Sequence, residues 1–380
     1  MRVVITAYVR FGNALAWHAL EVARGLHAAG HSVLLCCKKD SFLARWSEGA
    51  PFPVNSELEL DRTGAGGLLP GYKALRQIVH DFRPDVLNPH CPPGHSFLAL
   101  LRSLGRLRVP LIRTVADPRP PSNNPANWLL HRRFTDGLIF TTASSQRRYE
   151  PFVDLRRLNH QVILPGFRAD DFVDGVRAGG YRKRYGLKPE QLLIGIIARM
   201  SPEKGQEVLL EALALLSAEE RSRIVCVLAG EDTRDRNHED LKTIAKLFGV
   251  ERQIRFLGRL DDVRPLMSEL DVGVVTSVRS EAICRVALEY MSFGIPVISS
   301  DVNILPEVVL NGRNGLTFPN RNAHALAEGL RTMLRHADEP NRLGSAGRDM
   351  VHSAFSLGHE IEQTVAFYEQ ARLRTSRGHA

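Results

Sequence analysis

Ser280 to Glu307, SEAICRVALEYMSFGIPVISSDVNILPE, decides how this chain is read. The apolar periodicity of Ile283, Val286, Ala287 and Tyr290 predicts a helix, Gly294 and Pro296 stop it, and Val297-Ile298 predicts a short buried strand. Glu281 stands before the periodicity and Glu289 inside it. A helix running into a buried strand is the unit from which parallel sheets are wound, so the same alternation should recur outward from here.

It recurs in both directions. Toward the N-terminus the second half gives strand candidates at Asp271–Thr276, Gln253–Leu257, Ile224–Leu228 and Leu192–Ile197, with helices at Glu239–Phe248 and Val208–Leu216. Beyond Ala323 the pattern is mostly helical. The first half offers Val3–Ala7, Val33–Cys37, Asp85–Asn88, Pro110–Val115, Gly137–Phe140 and Gln161–Leu164 as strands, with a first helix from Ala14 to Ala29. Between the halves, 173–187 is rich in Gly and Arg with little apolar periodicity, which predicts a linker. A chain of 380 residues is long for one core. The expectation is α/β: two doubly wound domains, 1–172 and 188–356.

Composition narrows the function. Hydrophobic content of 44% and charged content of 24% fit a soluble globular protein. No run of eighteen apolar residues predicts a membrane span, and MRVVITAY enters a strand without signal-peptide anatomy. Five scattered cysteines argue against a disulfide framework and for a reducing, cytoplasmic setting. The adjacent Cys36 and Cys37 fall inside a strand and read as buried thiols.

Charge is unevenly placed. Residues 1–175 carry 22 Lys+Arg against 15 Asp+Glu, leaving 28 and 27 for the remainder, so the first half holds nearly all of the net +8. The excess sits in clusters: Arg102, Arg106 and Arg108; Arg132-Arg133; Arg147-Arg148; Arg156-Arg157. They suit an anionic partner, either a membrane surface or an acceptor molecule, or else form a solvated basic face. Nucleic acid is disfavoured, because no aromatic residues interleave with the cations. A G-x-G-x-x-G fingerprint is absent, as is a Walker loop, so neither NAD nor that phosphate cradle is supported. In Asn88-Pro-His-Cys-Pro-Pro-Gly-His95, prolines and the lack of a second ligand pair argue against a metal.

Ligands of wound sheets bind beyond the carboxyl ends of strands. That singles out Val9–Asn13, His90–His95 and Thr114–Arg119 in the first half. Gly12 there lets backbone amides approach a phosphate or sugar. In the second half, Ile196-Ile-Ala-Arg199-Met-Ser-Pro-Glu-Lys204-Gly205 puts two cations on a loop after a strand, suited to a diphosphate or simply exposed. Glu281 and Glu289 would lie about 12 Å apart at helical rise, the reach between a sugar and a ribose across a diphosphate. The spacing alone is weak, since Glu203, Glu211 and Glu219 repeat it along a solvated face. Glu289, flanked by Leu288 and Tyr290, needs a partner: ligand hydroxyls or a buried salt bridge.

Taken together, Arg199 with Lys204, Val227-Leu-Ala-Gly230, Phe256-Leu-Gly258, Glu281 with Glu289, Gly294-Ile-Pro-Val and Pro306-Glu307 resemble glycosyltransferase family 4, over nearly the whole chain and most strongly from Ile194 to Thr317. The resemblance implies a GT-B fold with the active site in the cleft between two domains and a last helix, about 357–380, crossing back onto the first. It implies a retaining, metal-independent enzyme using a nucleotide diphosphate sugar. Glu281 would contact the transferred sugar, Glu289 the ribose, Arg199 and Lys204 the diphosphate, and Gly12 would lie over the phosphates. Gly258 and Leu260 would lie near the base, and Cys284 and Arg285 belong to the donor loop. Ala282-Ile283-Cys284 stands where many members have Gly-Phe-Gly, and Gly12-Asn13 where they have Gly-Gly. Ala116-Asp117 replaces an acceptor-side His, leaving Asp117 or His90 as candidates for that polar group. By the resemblance the first domain holds the acceptor, and its basic excess points to an anionic glycan or lipid-linked acceptor at the inner face of the cytoplasmic membrane, in envelope or lipopolysaccharide-core assembly.

Overall fold

Short, largely apolar runs, buried on both faces, form most of the central strands. The computed structural model describes residues 1–10, 12–57, 65–105, 109–116, 119–279, 283–336 and 338–377. It divides into two units, Met1–Phe167 with Leu357–Ala380, and Arg168–Ser356.

In the first unit the strands are β1 (Arg2–Ala7), β2 (Ser32–Cys37), β3 (Val54–Asn55), β4 (Val86–Pro89), β5 (Ile112–Val115), β6 (Gly137–Phe140) and β7 (Asn159–Val162). They run parallel in the orders β3-β2-β1-β4 and β5-β6-β7, the two joined by a Leu87–Leu111 bridge. Side chains alternate across the sheet: Val3 and Ile5 pack in one core, Val4 and Leu87 in the other. Asn13 caps the helix Ala14–Ala28 by accepting the Ala16 N–H at 3.0 Å. The last helix, Leu357–Arg377, returns to this unit, where Ile361, Phe367 and Tyr368 join the core of Val3 and Ile5.

The second unit holds β8 (Leu192–Ile197), β9 (Ile224–Ala229), β10 (Ile254–Gly258), β11 (Val272–Val275), β12 (Val297–Ser300) and β13 (Gly315–Phe318). All run parallel in the order β10-β9-β8-β11-β12-β13. Counted within the unit this is 3-2-1-4-5-6, the Rossmann order, whose direction reverses between β8 and β11.

Several sequence expectations need correction. β7 begins two residues earlier than predicted, because Asn159 pairs with Gly137. The edge strands β3 and β13 were not foreseen: one has two residues, and the other follows the turn-like Asn311-Gly312-Arg313-Asn314. The 173–187 segment is fastened to the second unit and is no free linker. Glu269 accepts the N–H groups of Tyr181 and Arg182 at 3.0 and 2.9 Å, and Arg182 pairs with Asp271 at 2.6 Å. All five cysteines are buried thiols, and burial pushes Cys36 up to about 12, leaving it inert.

Candidate functional site

Between β8 and β11 the strand order reverses, so the connections from the two strands lead to opposite sides and leave room for a ligand at their carboxyl ends. β8 runs into the loop that carries Arg199, exposed, and Lys204, half-buried. The loop is pinned along its length. Gln206 Nε2 donates to the Arg199 carbonyl at 2.8 Å, Thr276 Oγ1 to the Lys204 carbonyl at 2.7 Å, and the Val278 N–H to the Glu203 carbonyl at 2.8 Å. Gly205, at φ +60°, closes it, and a Cβ there would come 2.4 Å from the Thr276 carbonyl oxygen, so only glycine fits. Behind it starts the helix Gln206–Ala214, whose first N–H groups add positive potential beside the two cations. Gly258, exposed at the end of β10, accepts the Gly230 N–H at 2.7 Å, and Leu260 follows half-buried.

The helix that carries Glu289 is Arg285–Ser292, shorter than the periodicity from Ile283 suggested. Cys284 precedes it at φ +42°, ψ +52°. This is the left-handed conformation that a glycine would supply freely, and a non-glycine residue holds it at a cost of about 1–2 kcal/mol. Glu289 is 7% exposed, and its Oε1 lies 2.6 Å from Nε of Arg285, one turn earlier. Burial raises the Glu289 carboxyl above its usual range, and Arg285 partly offsets that. Of the two partners foreseen for this acid, the structure shows the salt bridge.

One positioning residue was read only as part of the apolar stripe. The buried Tyr290 hydroxyl accepts the Ile197 N–H and donates to the Gly195 carbonyl, each at 3.0 Å. It bolts the Glu289 helix to the strand that delivers Arg199. An aromatic phenol inside an otherwise aliphatic stripe was the available signal, because a buried hydroxyl demands a partner.

In the first unit, Gly12 is exposed, and a Cβ on it would meet the rings of Phe42 and Trp46 at 3.1 Å. His90 follows β4 but is 1% exposed. Asn88 donates through Nδ2 to the Ile112 carbonyl and to Thr114, so its Oδ1 accepts His90 Nε2–H at 2.8 Å. Burial first, then the nearby His18, holds His90 well below its usual range, so it is neutral. His18 lies beyond it, 5.4 Å between ring centroids, and meets Glu360 at 2.6 Å. His95, the other histidine of that segment, turns to Thr135. Among the described residues no His, Cys, Asp or Glu group is arranged to hold a metal ion, and no helix is long and apolar enough to cross a membrane. Glu281 and Asp117 lie outside the described residues.

In one unit, then, Arg199 and Lys204 follow β8, and the helix of Arg285 and Glu289 is tied to that strand through Tyr290. Gly12 and His90 follow strands of the other.

Residues 180–350 match the family model described as Glycosyl transferases group 1, and residues 15–170 match Glycosyltransferase Family 4. The D-inositol 3-phosphate glycosyltransferase of Corynebacterium glutamicum is 31% identical over 315 residues, 76% of this chain and 72% of that protein. HepE of Anabaena, solved with UDP, superposes with a TM-score of 0.83 at 20% identity, covering 97% of this chain and all of the other. WaaG, a glycosyltransferase involved in lipopolysaccharide biosynthesis, superposes at 0.65 with 18% identity over 96% of this chain and 99% of its own.

Proposed function

From the premise that this chain belongs to the GT-B glycosyltransferases of the family 4 type, we propose that it moves a hexose or heptose from a nucleotide diphosphate sugar to an acceptor hydroxyl with retention of configuration. The carrying observation is the pinned loop from Arg199 to Gly205 at the switch point of the second sheet, with two cations and a helix N-terminus.

The chemical demand is departure of a nucleoside diphosphate, which develops negative charge on the leaving oxygens. Arg199 offers a fork and Lys204 a point charge, and the helix Gln206–Ala214 adds its N-terminal potential. Pinning the loop before the donor arrives removes the reorganisation that would otherwise weaken that stabilisation. Glu289 takes the ribose hydroxyls, sharing its oxygens with Arg285. Glu281 takes the transferred sugar. The left-handed backbone at Cys284 supports a working donor loop, because the shape that the family builds with glycine persists with a different residue.

The acceptor falls to the first unit, whose basic excess suits an anionic glycan or lipid-linked acceptor at the inner face of the cytoplasmic membrane. Envelope or lipopolysaccharide-core assembly is the setting we propose. Thermal stabilisation by UDP, GDP, ADP and their sugars tests donor and base together, since a ligand at a hundred times its Kd adds about 2.7 kcal/mol. Glu281→Ala should abolish transfer while leaving nucleotide binding, whereas Glu289→Ala should weaken nucleotide binding. Equal, mild effects from both would overturn the assigned roles.

A further inference from the structure

Three arginines of the basic clusters, Arg132, Arg156 and Arg157, have no part in the proposed donor loop and meet at one place in the first unit. A cavity of about 240 Å³ opens beside the N-terminal ends of β6 and β7, with Trp128, His131, Arg132, Phe152, Arg157 and Arg374 among its walls. A wider hollow of about 690 Å³ shares Trp128, Phe152 and Asp154 with it and adds Arg156, so the two make one groove. Because every strand of this sheet is parallel, the groove lies on the opposite edge from Gly12 and His90.

Arginines outnumber acids on its walls, Arg132, Arg156, Arg157 and Arg374 against Asp136, Asp154 and Glu150. Asp154 is shared by Arg156 and Arg157, each at 3.3 Å. Asp136 is taken by Arg102 and by the Leu111 N–H. Arg132 and Arg374 supply the remaining cations, and Glu150, the third acid, accepts from Gln146. Trp128 is 53% exposed, and the Arg132 guanidinium stacks 4.7 Å from its ring centroid, so indole and cation are presented together.

His131 forms part of the cavity wall. It is 3% exposed, and its Nδ1–H donates to the Asn127 carbonyl at 2.8 Å. Its Nε2 therefore keeps a lone pair, and that atom has no partner among the described residues. It sits in a π-helical turn, Leu130–Phe134, a rare geometry that recurs at functional sites.

An indole face suits the C–H face of a pyranose, and guanidinium groups suit a carboxylate or phosphate on it. We propose that this groove binds an anionic saccharide and docks the acceptor glycan at the end of this unit opposite Gly12 and His90. The acceptor role rests on the transferase reading above, whereas the binding itself does not.

The test is calorimetric titration of the full chain with trigalacturonate, with maltotriose as its neutral counterpart and inorganic phosphate as the bare anion. Nucleotide binding is measured on the same samples. Trigalacturonate should bind at least tenfold more tightly than maltotriose. Trp128→Ala and Arg157→Gln should each weaken it at least fivefold while leaving nucleotide affinity and melting temperature unchanged, since both side chains are exposed. Equal binding of the two trisaccharides, undiminished binding in both variants, or full displacement by equimolar phosphate would each overturn the proposal. Nucleotide binding without trigalacturonate binding would sink the groove alone. The reverse would sink the transferase reading and leave the groove standing.

Discussion

Replacing Gly230 by alanine should damage the donor loop from behind. Gly230 follows β9 at φ +153°, and a Cβ there would lie 1.9 Å from the Ala198 carbonyl oxygen and 3.1 Å from the Arg199 nitrogen. Both neighbours are backbone, so no side chain can swing away. The exit of β8 would have to retreat by about 1 Å, carrying Arg199 with it. Overpacking costs about 1–3 kcal/mol, and the backbone conformation about 1–3 kcal/mol more, so about 4 kcal/mol is expected in total. For a unit of this size that lowers the melting temperature by about 8–16 °C. Gly249→Ala is the control, because Gly249 has φ +66° but nothing within 4 Å of its would-be Cβ, leaving a conformational cost of about 1 kcal/mol. Scanning fluorimetry compares the two melts, and titration with the stabilising nucleotide should show at least a tenfold loss for Gly230→Ala, about 1.4 kcal/mol. If Gly230→Ala melts with Gly249→Ala and binds nucleotide normally, the close approach of β9 to the β8 exit is wrong, and so is the rigidity claimed for the loop.

Two further outcomes concern the first unit. His131 is held down to about 4 by burial, with the Arg113 charge adding to that against the hydrogen bond to Asn127. Its unfolded form takes a proton near 6.5 and the folded form does not, so stability is full above that pH and falls by about 3 kcal/mol as pH drops to about 4. Urea titrations at pH 7, 6, 5 and 4 should show this slope, reduced in His131→Asn. Glu360, 3% exposed, accepts both His18 at 2.6 Å and the Gly166 N–H at 2.7 Å. Its replacement by alanine leaves both unpaired at a cost of about 3–5 kcal/mol, and Glu360→Gln should recover most of this, because His18 can present a lone pair to the amide. Denaturation showing glutamine as harmful as alanine would mean that the charge itself, and not the hydrogen bonds, holds the last helix.

The α/β architecture was legible because each strand is a short apolar run and each helix has its own period, both local properties of the chain. Thus β6 and β8 were placed to the residue, while β3 and β13 were lost: edge strands bury less and carry weaker patterns. The loop proposed for the donor could be named from sequence, since Arg199, Lys204 and Gly205 are near neighbours in the chain.

The sequence by itself determined the two wound sheets, the basic first half and the cations after β8. Only the tertiary structure decided which groups meet. Glu289 pairs with Arg285 because a helical turn sets them one above the other, and Tyr290 reaches β8 across more than ninety residues of chain. His90, open to view after its strand in sequence, is sealed against Asn88 and neutral. Cys284, the residue that broke the expected glycine pattern, keeps the glycine's backbone shape. The arginine clusters looked like a diffuse basic face, and folding drew Arg132, Arg156 and Arg157 around one groove with Trp128. Contacts between residues distant in the chain follow from packing, and periodicity and composition carry no record of them.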